Sequence, residues 1–153
     1  MTSYEIIEYE DKHQADFAAL NYAWIEKYFK VEEEDKKALE APHKKIIAPG
    51  GAILLVALGE EIVGTCALIK MTNEKYELAK MAMDEKHQGQ GLGMKLGLAS
   101  IEKAKEMGAK TLYLETNSSL KPAIHLYHKL GFQNIENIDS PYERCNVQME
   151  LQL

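Results

Sequence analysis

The sequence predicts a mixed α/β fold, one domain spanning residues 1–153, with a central sheet of about six to seven strands and about four flanking helices. Three observations carry that reading. Two apolar runs, residues 52–58 and 62–69, flank Gly59-Glu60-Glu61 at the spacing of a tight antiparallel hairpin. A strand, helix, strand, helix succession between residues 76 and 131 requires one parallel crossover in the middle of the sheet. At the C-terminus, Val147, Met149, Leu151 and Leu153 alternate with Gln148, Glu150 and Gln152, which is a strand with one buried face. No repeat or low-complexity linker interrupts the 153 residues.

In chain order, residues 4–8 form the first strand. The helix after it carries Phe17, Leu20, Trp24 and Tyr28 at helical spacing, an apolar stripe for one buried face. Glu32, Glu33, Glu34 and Asp35 are placed on the first turn of a short second helix, where carboxylates meet the positive end of the dipole. That acidic run is read as a solvated helix start rather than a cation site. After the hairpin, residues 76–83 form a strand that runs into Gly89-Gln90-Gly91-Leu92-Gly93 and a helix ending near Gly108, with Met94, Leu98, Ile101 and Ala104 on its apolar face. Residues 111–115 are rich in β-formers. Pro122 then marks a helix first turn, Ala123, Leu126, Tyr127 and Leu130 recur at helical spacing, and Gly131 terminates.

Charge and composition exclude several classes of function. Lysine plus arginine total 18 against 24 carboxylates, and a net charge of -6 argues against a broad grip on nucleic acid or an anionic membrane. The longest apolar run, residues 52–58, is far short of the roughly 20 residues of a membrane-spanning helix, and the N-terminus has no basic-then-apolar leader, so a cytoplasmic location is expected. Cys66 and Cys145 lie outside any CxxC spacing and are expected as reduced thiols in or near strands. His125 and His128 sit three apart on one helix without Cys or Asp at ligand spacing, so no metal is expected.

Residues 88–93 carry the strongest chemical signal. A glycine-rich turn between a strand and a helix leaves backbone N–H groups unpaired at the positive end of the dipole, where an anion such as a pyrophosphate is favoured. The competing reading is a flexible turn with a helix packed close to the sheet. Two standard phosphate motifs fail. Gly93 is followed by Met94, Lys95 and Leu96, with no hydroxyl for a Walker loop's magnesium, and Met94 and Leu96 occupy the positions where a GxGxxG needs its third glycine.

What survives is Gln-x-x-Gly-x-Gly from Gln88 to Gly93, and it resembles the acyl-CoA signature of the GNAT superfamily of N-acetyltransferases. A second block, Ala123-Ile124-His125-Leu126-Tyr127-His128-Lys129-Leu130-Gly131-Phe132, is similar to that superfamily's A-x-x-L-Y-x-x-x-G-F segment at the usual distance downstream. The resemblance covers residues 76–132 by motif, and the flanking elements follow the family's order. One position departs: Leu120 stands where many members carry Asn, and Asn117 is the candidate to replace some of that polar contact.

The resemblance implies an enzyme that uses acetyl-CoA (CoA) as cosubstrate and transfers acetyl directly to a primary amine, carried by an unidentified small molecule or peptide. The cleft would lie where strand 76–83 splays from strand 111–115, a parallel pair. Gln88, Gly89, Gln90, Gly91, Leu92, Gly93 and Met94 would hold the pyrophosphate through their amides, and the backbone of Met81, Ala82 and Met83 would meet the pantetheine arm and polarise the thioester carbonyl. Lys129, ahead of Lys95, would meet the outer phosphate. An alkyl amine starts about three pK units too protonated at neutral pH, roughly 4 kcal/mol, so a base is needed. Glu77 matches a strand glutamate that serves as base in some relatives, with Glu115 the weaker substitute. Tyr127 matches the family's general acid; a phenol near 10 stays protonated beside a departing thiolate whose thiol titrates near 8.5. Trp24, Tyr28 and Phe29 are the candidate acceptor-lining residues. The alternatives are a noncatalytic acyl-CoA-binding sensor and, more weakly, a nucleotide switch. If the C-terminal strand forms a sheet edge, it is a candidate for pairing across a homodimer.

Overall fold

The computed structural model describes residues 3–136 and 140–153. Strands β1 (Tyr4–Glu8), β2 (Ala52–Leu58), β3 (Glu61–Lys70), β4 (Lys75–Met83), β5 (Thr111–Thr116), β6 (Gln133–Asn134) and β7 (Val147–Gln152) form one mixed sheet in the order β1-β2-β3-β4-β5-β7-β6. Only β4 and β5 run parallel; every other neighbouring pair is antiparallel. Helices α1 (Gln14–Tyr28) and α2 (Glu33–Glu40) precede β2, α3 (Leu92–Glu106) makes the crossover from β4 to β5, and α4 (Lys121–Leu130) follows β5.

The continuous apolar run of β2 is buried on both faces of the sheet, and its alternation sorts the core into two layers. Ile53, Leu55 and Ala57 join Phe17, Ile25 and Leu39 from α1 and α2. Leu54 and Val56 join Leu92, Leu96, Ile101 and Ala104 from α3. Each fully buried large side chain here stabilises by about 1.5–3 kcal/mol. α4 approaches α3 closely because Gly97 has no side chain; a Cβ there would stand 2.6 Å from Cδ1 of Leu130.

Two expectations are corrected by the packing. The buried line of α1 is Phe17, Asn21 and Ile25 at i, i+4 spacing, with Tyr28 43% exposed and Leu20 and Trp24 half-buried. The large aromatics suggested a different stripe because the middle of the buried line is polar: Asn21 is 2% exposed and held by hydrogen bonds. Secondly, β7 is not a sheet edge. It lies between β5 and β6, so the premise for pairing it across a dimer is removed. Among the described residues no helix is long and apolar enough to cross a membrane. Both cysteines are free, Cys66 buried in β3 and Cys145 half-buried ahead of β7.

Candidate active site

The parallel pair opens part-way along its length. β4 and β5 are in register at Lys75 with Thr111, Tyr76 with Leu112 and Glu77 with Tyr113, and the register ends there although both strands continue. The divergence makes a pocket between α1, β4, β5 and the segment entering β7, with Trp24, Phe29, Glu77, Met81, Glu115 and Tyr127 on its wall.

A bulge in β4 shapes this opening. Thr65 of β3 is opposite Ala82 and Ala67 opposite Ala79, so one extra residue of β4 lies between. Lys80 takes φ +52°, a left-handed conformation that costs an L side chain roughly 1–2 kcal/mol. Side chains from two other elements hold it. Thr65 Oγ1 donates to the Lys80 carbonyl at 2.8 Å, and the amide of Asn21 donates to Thr65 Oγ1 at 3.0 Å and to the Phe17 carbonyl at 2.9 Å. The bulge also changes the side-chain phase: Tyr76 and Leu78 are in the α3-side core before it, Met81 and Met83 pack against that core after it.

The Lys80 side chain reaches into a buried ionic cluster. Its Nζ donates to Asp35 Oδ1 at 3.0 Å and to the Tyr142 hydroxyl at 2.9 Å. Arg144 Nη1 and Nη2 donate to Asp35 Oδ2 and Oδ1 at 2.8 and 2.6 Å, and Nη1 also reaches Glu32 Oε2 at 3.0 Å. Burial alone would raise the Asp35 carboxyl; the Arg144 hydrogen bonds, the Glu32 amide and Lys80 outweigh it and hold it at about 2. The acidic run is therefore not simply a solvated helix start. Asp35 is fully buried, because one turn of α2 carries it inward beside Leu39 and two cations meet it there.

Two carboxylates on the pocket wall have separate environments. Glu115 accepts from the Tyr113 hydroxyl at 2.7 Å and from Ser140 Oγ, so both its oxygens are engaged. Glu77 has no hydrogen bond among the described residues. Burial, and then the nearby Glu115 charge, push it up to about 7 against the opposing pull of Lys80. Tyr127 opens onto the pocket with its ring edge-on to Phe132, centroids 6.1 Å apart. Burial, then the proximity of Cys66, raise its hydroxyl well above the ordinary phenol value, and that hydroxyl has no hydrogen bond among the described residues.

The glycine turn ends at Gly91, which caps α3 at φ +75° with no side-chain hydrogen bond. The first helical bond runs from the Lys95 N–H to the Gly91 carbonyl at 3.2 Å, so the amides of Leu92, Gly93 and Met94 precede the helical ladder. Open space lies where a Cβ at Gly89 or Gly91 would project. Tyr4 steadies the turn from β1: its hydroxyl donates to Gln90 Oε1 at 2.9 Å and pairs with His87 Nδ1 at 3.0 Å. Amides ahead of the helical ladder and open space at Gly89 and Gly91 are what an acyl-CoA pyrophosphate would need at this end of α3.

Of the residues singled out from sequence, Trp24, Phe29, Glu77, Met81, Asn117 and Tyr127 meet at the pocket. Tyr28, Met83 and Gln88 do not; they line a second cleft on the far side of Trp24. The end of α1 turns Tyr28 outward beside the Lys27 ammonium, 5.3 Å from its ring centre. Ala82 is buried at 3% exposure, Lys95 and Lys129 are exposed, and Gly89, Gln90, Gly91, Gly93 and Met94 stay with the turn. Asn117 donates to the Arg144 carbonyl at 2.7 Å and accepts from the Ser119 N–H at 2.9 Å, which ties the end of β5 to the segment entering β7. Asp35, Lys80, Tyr142, Arg144, Asn21 and Thr65 were not foreseen. Arg144 alone carried a signal, as the one arginine of the sequence.

A mixed sheet that opens at its parallel pair beside a glycine-turned helix start is the architecture of an acetyltransferase fold. Residues 16–132 match the model of the acetyltransferase (GNAT) family, and the chain belongs to that family. It is 42% identical over 91 residues to YjgM, an uncharacterized N-acetyltransferase of Escherichia coli strain K12, covering 58% of this chain and 54% of YjgM. The chain spans about half the length of the curated relatives it matches. A GNAT-family acetyltransferase from Staphylococcus aureus Mu50 superposes with a TM-score of 0.89 at 25% identity, covering 98% of this chain and 99% of that one. The Salmonella typhimurium putative acetyltransferase yncA, solved with its cofactor acetyl-CoA, gives a TM-score of 0.75 at 20% identity over 97% of this chain and 93% of that one.

Proposed function

We propose that this protein is an N-acetyltransferase that takes acetyl from acetyl-CoA and passes it directly to a primary amine. The observation that carries the reading is one pocket at the splayed strand pair that holds both Glu77, a carboxylate pushed up to about 7 by burial, and Tyr127, whose hydroxyl has no hydrogen bond among the described residues. The complex of yncA with acetyl-CoA supports the choice of cosubstrate.

The amides at the start of α3 and in the turn from Gln88 to Met94 bind the pyrophosphate, and the exposed Lys129 is the candidate for the outer phosphate. The backbone of β4 from Met81 to Met83, beyond its register with β5, receives the pantetheine arm and polarises the carbonyl. Glu77 takes the proton that the amine nitrogen loses as its bond to the acetyl carbon forms. A base at about 7 is ionised in a substantial fraction at neutral pH and still a useful acceptor. As the carbon–sulfur bond breaks, Tyr127 gives its hydroxyl proton to the sulfur and recovers one from solvent. Its raised pKa keeps it protonated until then. Trp24 and Phe29 form the apolar side of the acceptor pocket.

Calorimetric titration with acetyl-CoA, on the wild type and on Gly91→Glu, tests the first half of this reading. Binding that disappears in a folded variant supports the pyrophosphate cradle; no wild-type binding sinks the proposal. Acetylated amine identified by mass spectrometry tests the second half, and binding without any product would instead support an acyl-CoA sensor.

A further inference from the structure

The acceptor pocket has cations on its wall, and both are already committed. Arg144 spends Nη1 on Glu32 and Asp35 and Nη2 on Asp35. Lys80 spends Nζ on Asp35 and on the Tyr142 hydroxyl. Two positive charges thus face two negative ones, and the pairs are close and largely shielded from solvent. Glu77 and Glu115 stand on the same wall, and among the described residues neither forms an ion pair with a cation, Lys80 acting on Glu77 only from a distance. The local field therefore favours an arriving ammonium and opposes an arriving carboxylate. Lodging an anion beside these groups without a counter-cation is unfavourable.

We infer that the acceptor is a primary amine with an apolar body and no carboxylate on the carbon next to the nitrogen. The inference rests on the acetyltransferase reading above and narrows it. The apolar body has a wall to lie against: Trp24 and Phe29 pack on each other, ring centres 6.0 Å apart, and both line the α1 side of the pocket. Tyr142 offers less, because Lys80 and Arg144 already sit over its ring at 4.8 and 4.5 Å. An α-amino acid presents its carboxylate within two bonds of the nitrogen, too near to stay in water while the amine reaches Glu77. Free alkylamines and peptide N-termini share the favoured chemistry, since the neighbouring carboxylate is missing in one and blocked as an amide in the other.

Two matched series separate these cases: tyramine, tyrosine amide and tyrosine, and isoamylamine, leucine amide and leucine. Steady-state acetylation is expected to give at least one carboxylate-free member of each series a kcat/KM about tenfold or more above its amino acid. A leading amine identifies a small-molecule acceptor, and a leading amide identifies a peptide N-terminus. An amino acid that equals or exceeds its partners overturns the inference, as does acetyl-CoA binding with no member of either series acetylated. Absence of acetyl-CoA binding removes the acetyltransferase reading and this inference with it, so the calorimetry is performed first. The variant Glu32→Gln releases part of Arg144 from its partners and is expected to raise the leucine-to-isoamylamine ratio of kcat/KM. A loss of packing alone would lower both rates together, and a ratio that does not move overturns the assignment of selectivity to this ionic cluster.

Discussion

Arg144 grips Asp35 with both arms of its guanidinium, at 2.8 and 2.6 Å, and so fastens the first turn of α2 to the segment that enters β7. The geometry needs a planar fork; a lysine ammonium offers one point charge and would leave one carboxylate oxygen unmatched. Lys80 completes the arrangement from the β4 bulge, so a single buried carboxylate joins three distant parts of the chain beside the pocket.

Removing that carboxylate is expected to be costly. Asp35→Asn leaves Arg144 and Lys80 short of a counter-charge, and the loss of folding stability is expected at about 3–5 kcal/mol, as for other broken buried pairs. Urea denaturation at pH 7 measures it, and a change below about 1 kcal/mol would contradict the structural role assigned to Asp35.

Acid titration of stability gives an independent check. The folded protein holds the Asp35 carboxyl at about 2 against an ordinary 3.8, so the folded state binds this proton more weakly than the unfolded chain does. The resulting stabilisation, about 2 kcal/mol, is complete above the unfolded value and disappears as pH falls from about 4 towards 2. In Asp35→Asn this part of the acid dependence is expected to vanish.

Glu77 has the opposite sign. Its carboxyl is raised from an ordinary 4.5 to about 7 in the folded state, so the folded protein holds the proton more tightly than the unfolded chain, and the stability this gives is full below about 4.5 and lost as pH rises from there through about 7. Glu77→Gln is therefore expected to raise the melting temperature at pH 8 more than at pH 5. Activity runs the other way: the rate should climb with pH through about 7 in the wild type, and the variant should lose that limb together with roughly 10²- to 10⁴-fold in kcat. An unchanged pH–rate profile in Glu77→Gln would assign the base elsewhere.

Tyr127→Phe removes a single hydroxyl that has no hydrogen bond among the described residues, so stability and acetyl-CoA affinity should barely change. Turnover is expected to fall by roughly 10²-fold or more if the hydroxyl protonates the leaving sulfur. Full turnover of a verified amine by the variant would end the acid assignment.

Thr65→Val tests the support beneath the bulge. The change leaves the Lys80 carbonyl without its donor and one N–H of Asn21 without an acceptor, at about 1–3 kcal/mol. Because the bulge sets the pocket edge of β4, kcat should fall more than acetyl-CoA affinity does.

The parts of the candidate site that are contiguous were legible in the sequence. Residues 88–93 and 123–132 are local patterns tied to one helix start and one helix face, and Glu77 sits at a fixed distance before the first of them. The hairpin, the parallel crossover and the alternating last strand were legible for the same reason: each has a period that neighbouring residues display. The ionic cluster was not, because Asp35, Lys80 and Arg144 come from three segments and each looks like ordinary surface charge beside its sequence neighbours. Asn21 misled for a related reason. A polar residue on the buried line of α1 broke the apolar pattern, so the aromatics one turn face over appeared to be the core.

The extra residue in β4 gives that strand a parity. Even-numbered residues before Lys80 and odd-numbered ones after it turn to the same side, so the two halves are in step only while their separation stays as it is. Deleting one residue between Leu78 and Met81 would exchange the sides of one half, carrying Glu77 under α3 and bringing Tyr76 or Leu78 to the wall where Glu77 had stood. The exposed turn at Thr72, Asn73 and Glu74 can gain or lose residues without that penalty. The length of this one strand is thus as strictly fixed as the identity of any side chain on it.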